Sequence, residues 1–159
     1  MVILIRHAEK PPKSDHSPDL TPIGVERAER IPNLFAPSAT AMLPHPDVLF
    51  AAHVRPSSNR PVETATPLAR ALGMKLNDEY SDDTSQQLAA ELLSGKYAGK
   101  VVVVFWRHGV LPELAAALGA PNPPKWQDSV FDRIWKVEWI NGKAVLTDLP
   151  QNLLPGDSR

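Results

Sequence analysis

The sequence predicts an α/β protein: a three-layer sandwich with a mainly parallel central sheet, helices on both faces and an antiparallel hairpin towards the C-terminus. Three observations carry this. Two short apolar runs, Val2-Ile3-Leu4-Ile5 and Val101-Val102-Val103-Val104-Phe105-Trp106, are bounded by polar or Gly-containing segments, the pattern of strands covered on both faces. Segments with helical spacing alternate with the extended ones, as in parallel sheets built from crossovers. The final third changes character, where a Trp/Val/Ile-rich stretch over 130–140 meets Asn141-Gly142, a strong signal for a two-residue hairpin.

The elements follow in order. A strand over about 2–6 leads into a long polar loop that runs from Lys10-Pro11-Pro12 to Leu20. Thr21-Pro22 opens a helix, with Thr21 as N-cap and Pro22 at the first helical position. Ile23, Ile31, Leu34 and Phe35 give it an apolar side, and Pro37 lies past its end. Residues 47–52 form a second strand. After a loop over 53–58, Val62, Ala65, Leu68, Ala69 and Leu72 recur at helical spacing over 60–72, closed by Gly73. A short strand is expected near 74–80, then a helix near 84–94 with Leu88, Leu92 and Leu93 inward and Gly95 ending it. The Val-rich strand occupies 100–106. The helix after it spans 109–118, with Pro112 tolerated in its first turn and Gly119 closing it. The hairpin returns over 143–149.

Bulk properties bound the function. At 159 residues the chain is sized for one domain with a real core. A net charge of -1 with no basic block argues against nucleic-acid binding by bulk electrostatics. With no cysteine, disulfides, thiolate metal sites and a Cys nucleophile are excluded. Met1 leads straight into a strand with no signal-type apolar segment, so a cytoplasmic protein is expected. No apolar run approaches the ~20 residues of a membrane span. The 17 prolines gather between periodic segments and mark loops.

Both buried runs stop at Arg-His: Arg6-His7 and Arg107-His108, about a hundred residues apart. In open α/β sheets ligands bind beyond the carboxyl ends of the strands, so two imidazoles and at least one guanidinium would meet at one crevice. That composition suits a dianionic phosphoryl group. A neutral His7 can attack phosphorus through one ring nitrogen while the other donates to a backbone carbonyl. Arg6 would lower its pKa by like-charge repulsion and offer a planar fork to phosphate oxygens. His108, as an imidazolium, could donate to an equatorial oxygen, with Gly109 allowing close backbone approach. Arg60 sits at a helix start, where free N–H groups already favour an anion. Arg55 is a further basic candidate, and Ser57 and Ser58 read as caps. Lys10 and Lys13 would line the mouth. His16, His45 and His53 lack metal-ligand spacing, and Trp126, Trp135 and Trp139 read as packing.

Taken together these segments resemble the histidine phosphatase superfamily, also called phosphoglycerate mutase-like. Arg6-His7-Ala8-Glu9 matches its Arg-His-Gly/Ala start. Thr21, Gly24 and Arg27-Ala28 match its Leu-Thr-x-x-Gly-x-x-Arg-Ala segment. Arg60 with Thr64-Ala65 matches its Arg-x-x-x-Thr-Ala helix start, and His108-Gly109 its second His. The likeness covers roughly 2–119, and the hairpin is similar to a small-family terminus.

The resemblance implies a phosphatase that hydrolyses a phosphomonoester or phosphoramidate through a phosphohistidine on His7. Arg6, Arg60 and His108 would hold the phosphoryl oxygens, with no metal or organic cofactor. The substrate would be a small phosphorylated molecule or a phosphoprotein. A carboxylate would protonate the leaving group and then activate water. One branch carries a Glu after the third strand in a Leu-x-Glu context, and the other an Asp directly after the second His. Here the matching stretch is 77–84 without that context, and Gly109 follows His108. Asp82 and Asp83 are the candidates, with Glu79 and Glu9 behind them; Asp83 reads equally as an N-cap. Two alternatives stand beside the phosphatase: a phospho-ligand binding module lacking the acid, and a phosphoglycerate-type mutase.

Overall fold

The computed structural model describes residues 1–12, 14–35 and 42–158; Lys13 and Pro37, named above, lie outside the described residues. Six strands, β1 (Val2–Arg6), β2 (Val48–Ala51), β3 (Leu76–Asn77), β4 (Val102–Trp106), β5 (Arg133–Ile140) and β6 (Lys143–Pro150), form one sheet in the order β3-β2-β4-β1-β5-β6. The four strands from β3 to β1 run parallel, and β5 and β6 are antiparallel to their neighbours. Four α-helices, α1 (Pro22–Arg30), α2 (Arg60–Leu72), α3 (Ser85–Leu93) and α4 (Leu111–Ala117), pack on the sheet. No helix among the described residues is long and apolar enough to cross a membrane.

Strand alternation divides the core into two layers. Val2, Leu4, Val102, Val104 and Trp106 face Leu88, Leu92, Leu111 and Leu114 of α3 and α4. Ile3, Ile5, Val103 and Phe105 face Ala65 and Leu68 of α2 and the apolar end of the α1 segment. β1 and β4 are fully buried on both faces, which is why their sequences are unbroken apolar runs rather than alternating ones. Each such buried side chain contributes about 1.5–3 kcal/mol.

Several boundaries differ from expectation for local reasons. α1 ends at Arg30 and continues as a 3-10 turn over Ile31–Phe35. The tighter winding turns Ile31, Leu34 and Phe35 inward, whereas Ile23 at the helix start is exposed. β3 is two residues long and lies at the sheet edge. Ser81, not Asp83, caps the turn that precedes α3, bonded reciprocally with Thr84. Leu93 is the last residue of α3 and faces solvent rather than the core. Gly73 closes α2 in the left-handed conformation, and Asn141-Gly142 makes the two-residue turn with φ of 51° and 77°, as a type I′ hairpin requires. Trp126 and Trp135 pack together, ring centroids 4.6 Å apart, under the hairpin.

Candidate active site

β1 and β4 pair in register, Arg6 beside Trp106, and the His7 amide extends the ladder to the Trp106 carbonyl at 2.9 Å. Both Arg-His pairs therefore leave the sheet at the same edge. Thr64 brings α2 to that edge: its hydroxyl donates to the Arg60 carbonyl at 2.7 Å and accepts from the Ala8 amide at 2.9 Å. The Thr of the Arg-x-x-x-Thr-Ala segment thus fastens the helix that carries Arg60 onto the residue after His7. Arg6, Arg60 and His108 are all close enough to depress the His7 pKa electrostatically.

The His7 ring is buried, with Nδ1 2.8 Å from the Ala8 carbonyl oxygen. A carbonyl can only accept, so Nδ1 carries the proton and Nε2 holds the lone pair. Burial first, then the neighbouring positive charges, push its pKa down to about 3. His7 is neutral, in the tautomer a nucleophile needs.

Arg6 is 1% exposed, and much of its fork serves structure. Nη1 donates to the Gln127, Asp128 and Val130 carbonyls at 3.2, 2.8 and 2.7 Å, while the guanidinium lies 3.7 Å over the Phe131 ring. Its Nε–H pairs with nothing among the described residues. The fork expected to meet phosphate oxygens is engaged by the 127–130 segment. Arg60 donates to the Ser17 and Ser57 carbonyls at 3.1 and 3.2 Å, and its buried Nε–H is likewise unpaired among the described residues. Desolvation lowers the pKa of both arginines, which sharpens the demand for an anion.

His108 has Nε2 3.1 Å from Asp128 Oδ1, and a buried Nδ1 unpaired among the described residues. Burial, followed by Arg6, pushes its pKa down to about 4, so the ring is neutral here rather than the expected imidazolium. Gly109 has open space around its Cα, so no close approach within the protein requires the glycine.

The expected carboxylates are paired with arginines or exposed. Asp82 is buried between Arg55 Nη2 at 2.8 Å and Arg107 Nε at 2.9 Å, ion pairs not aligned as hydrogen bonds. Asp83 and Glu79 are exposed. Glu9 is gripped by Arg27, Nε and Nη2 both reaching it at 2.8–3.1 Å. That contact explains the second motif. Thr21 caps α1 and donates to the Glu9 carbonyl, Gly24 lies against the Glu9 backbone, and Arg27 also binds Asp157 and Gln151. These residues hold the segment that follows His7.

The carboxylate in contact with His108 is Asp128, absent from the sequence-based candidates. Its Oδ1 accepts from Lys10 Nζ at 2.9 Å and lies 3.1 Å from His108 Nε2 and 3.5 Å from Arg6 Nη2. Ser57 and Ser58 do not cap α2, whose N-cap residue is Asn59. His53 bonds the Asp78 carbonyl, and no His/Asp/Glu cluster among the described residues could hold a metal ion.

Most of the chain superposes on solved phosphatases. A protein histidine phosphatase SixA complexed with tungstate matches at TM-score 0.65 and 17% identity, covering 94% of this chain and 96% of that one. An alpha-ribazole phosphatase from Shigella flexneri matches at TM-score 0.63 and 16% identity, covering 94% and 95%. No protein-family model matches the sequence, and no curated protein sequence does. The chain has the phosphoglycerate mutase-like fold of these structures.

Proposed function

We propose that the protein is a histidine-type phosphatase, one domain over 1–159, which hydrolyses a phosphomonoester or phosphoramidate through a phosphohistidine on His7. The observation that carries this is the His7 ring: Nδ1 is tied to the Ala8 carbonyl, so the Nε2 lone pair is the one available to attack phosphorus. Arg6 Nε, Arg60 Nε and His108 would take the phosphoryl oxygens, since each has a buried nitrogen unpaired among the described residues. An arriving dianion would raise the His108 pKa and make it a charged donor where charge develops. Phosphoryl transfer depends mainly on such positioning and charge. The neighbours named as a protein histidine phosphatase and an alpha-ribazole phosphatase support a phosphorylated substrate, either a phosphoprotein or a small molecule.

The test is direct. With an aryl phosphate, the wild-type protein releases the phenolate and labels His7, whereas His7→Ala does neither and keeps its far-ultraviolet circular dichroism. Full activity in His7→Ala ends the proposal. The engagement of Asp82 and Glu9 with arginines favours one second reading, a phospho-ligand binding module. Phosphate binding without hydrolysis of aryl phosphates between about pH 5 and 8 would select it, that window bracketing the ordinary imidazole range.

A further inference from the structure

Among the carboxylates considered for this site, Asp128 alone contacts a proposed catalytic histidine. Glu9 and Asp82 are spent on arginines, and Asp83 and Glu79 face solvent. Asp128 lies in the 119–132 connection, far from any motif, and its position comes from Arg6. The three carbonyls that Arg6 Nη1 binds, of Gln127, Asp128 and Val130, hold the backbone on either side of it against the end of β1. The two carboxylate oxygens then differ. Oδ1 is anchored by Lys10, His108 and Arg6; Oδ2 makes no hydrogen bond among the described residues, and the side chain is 55% exposed. One oxygen orients the group, and the other has no partner among the described residues on a side chain more than half exposed.

We propose that Asp128 is the base of the dephosphorylation step, its Oδ2 taking a proton from the water that attacks phosphorus on His7. This rests on the phosphohistidine reading above. The water oxygen bonds phosphorus as the bond from phosphorus to His7 Nε2 breaks. The bonding pair returns to Nε2, leaving a neutral ring still protonated on Nδ1. One water proton passes to Oδ2 and then to solvent, and hydrogen phosphate leaves. The first step is served differently. The hydrogen bond from Lys10, then the charges of Lys10 and Arg6, keep the Asp128 carboxyl below its ordinary range, so it is ionised at neutral pH and is no proton donor. The first step then takes substrates whose leaving group departs without an acid, such as a phosphoramidate or an aryl phosphate.

Rapid-quench kinetics with 4-nitrophenyl phosphate and an alkaline quench, which preserves phosphohistidine, tests the assignment on the wild-type protein and Asp128→Asn. The variant should keep the nitrophenolate burst, accumulate phosphorylated His7 and turn over about a hundredfold more slowly, the scale of one general base. Asp128→Glu should recover part of the turnover. Unchanged turnover without accumulation overturns the assignment. So does a burst slowed in proportion to turnover, or tighter binding of inorganic phosphate with turnover intact, which would make Asp128 only a competing internal anion. Absence of His7 labelling in the wild-type protein sinks the phosphohistidine reading itself, an outcome distinct from failure of the variant.

Discussion

Thr64 and Ala8 are joined by a 2.9 Å hydrogen bond that ties the first turn of α2 to the residue following His7. The Thr64 side chain is fully buried, and its hydroxyl is the partner given to the Ala8 amide. Thr64→Val keeps the shape and strands that amide, a loss of about 1–3 kcal/mol. The His7 carbonyl neighbour and the Arg60 helix start then lose their common tether. The urea midpoint and kcat should both fall, and Thr64→Ser should restore both; an unchanged kcat in Thr64→Val would mean the bond positions nothing.

Gly24 has no room to grow. A Cβ there would lie 2.5 Å from the Glu9 carbonyl oxygen and 2.9 Å from its nitrogen, and neither backbone atom can move without shifting the strand exit. Gly24→Ala should destabilise the fold by about 1–3 kcal/mol, as overpacking does, despite the better helix propensity of alanine. Thermal denaturation checks this, and a raised melting temperature would contradict it.

Acid should unfold the protein through its own histidines. His7 and His108 titrate at about 3 and about 4 in the fold and near 6.5 in an unfolded chain. Between those limits the unfolded chain binds more protons, so stability falls as pH falls. The contribution is complete above about 6.5 and is lost progressively as pH drops towards 4 and then 3. Denaturant midpoints at pH 7 and pH 5 should separate, and His7→Gln should narrow the gap. The free protein should also keep a nucleophilic His7 at pH 5, so phosphoenzyme formation persists there.

Much of this was legible in the chain. Two unbroken apolar runs ending in Arg-His located the sheet edge, because strands buried on both faces leave no alternation to misread. Asn141-Gly142 located the hairpin because few residues tolerate its backbone angles. Thr21, Gly24, Arg27 and Thr64 match motifs, but their purpose lies in contacts that spacing does not reveal, to Glu9 for the first three and Ala8 for the last. Asp128 carried no signal at all. It sits in an aperiodic, proline-rich connection 20 residues beyond His108, and its place depends on partners distant in sequence, Arg6 and Lys10 among them. Asp82 and Asp83 are candidates because they follow β3 as an acid would, and the pairing of Asp82 with Arg55 and Arg107 is again a long-range fact. Ile23 and Leu93 were misplaced because helix ends obey neither the helical period nor the layer behind them.

Arg27 sits between Glu9 and Asp157, so the final turn of the chain is a working brace for its opening loop. One residue, Ala8, lies between Glu9 and His7, so a change at Asp157 reaches that segment through the Arg27 guanidinium.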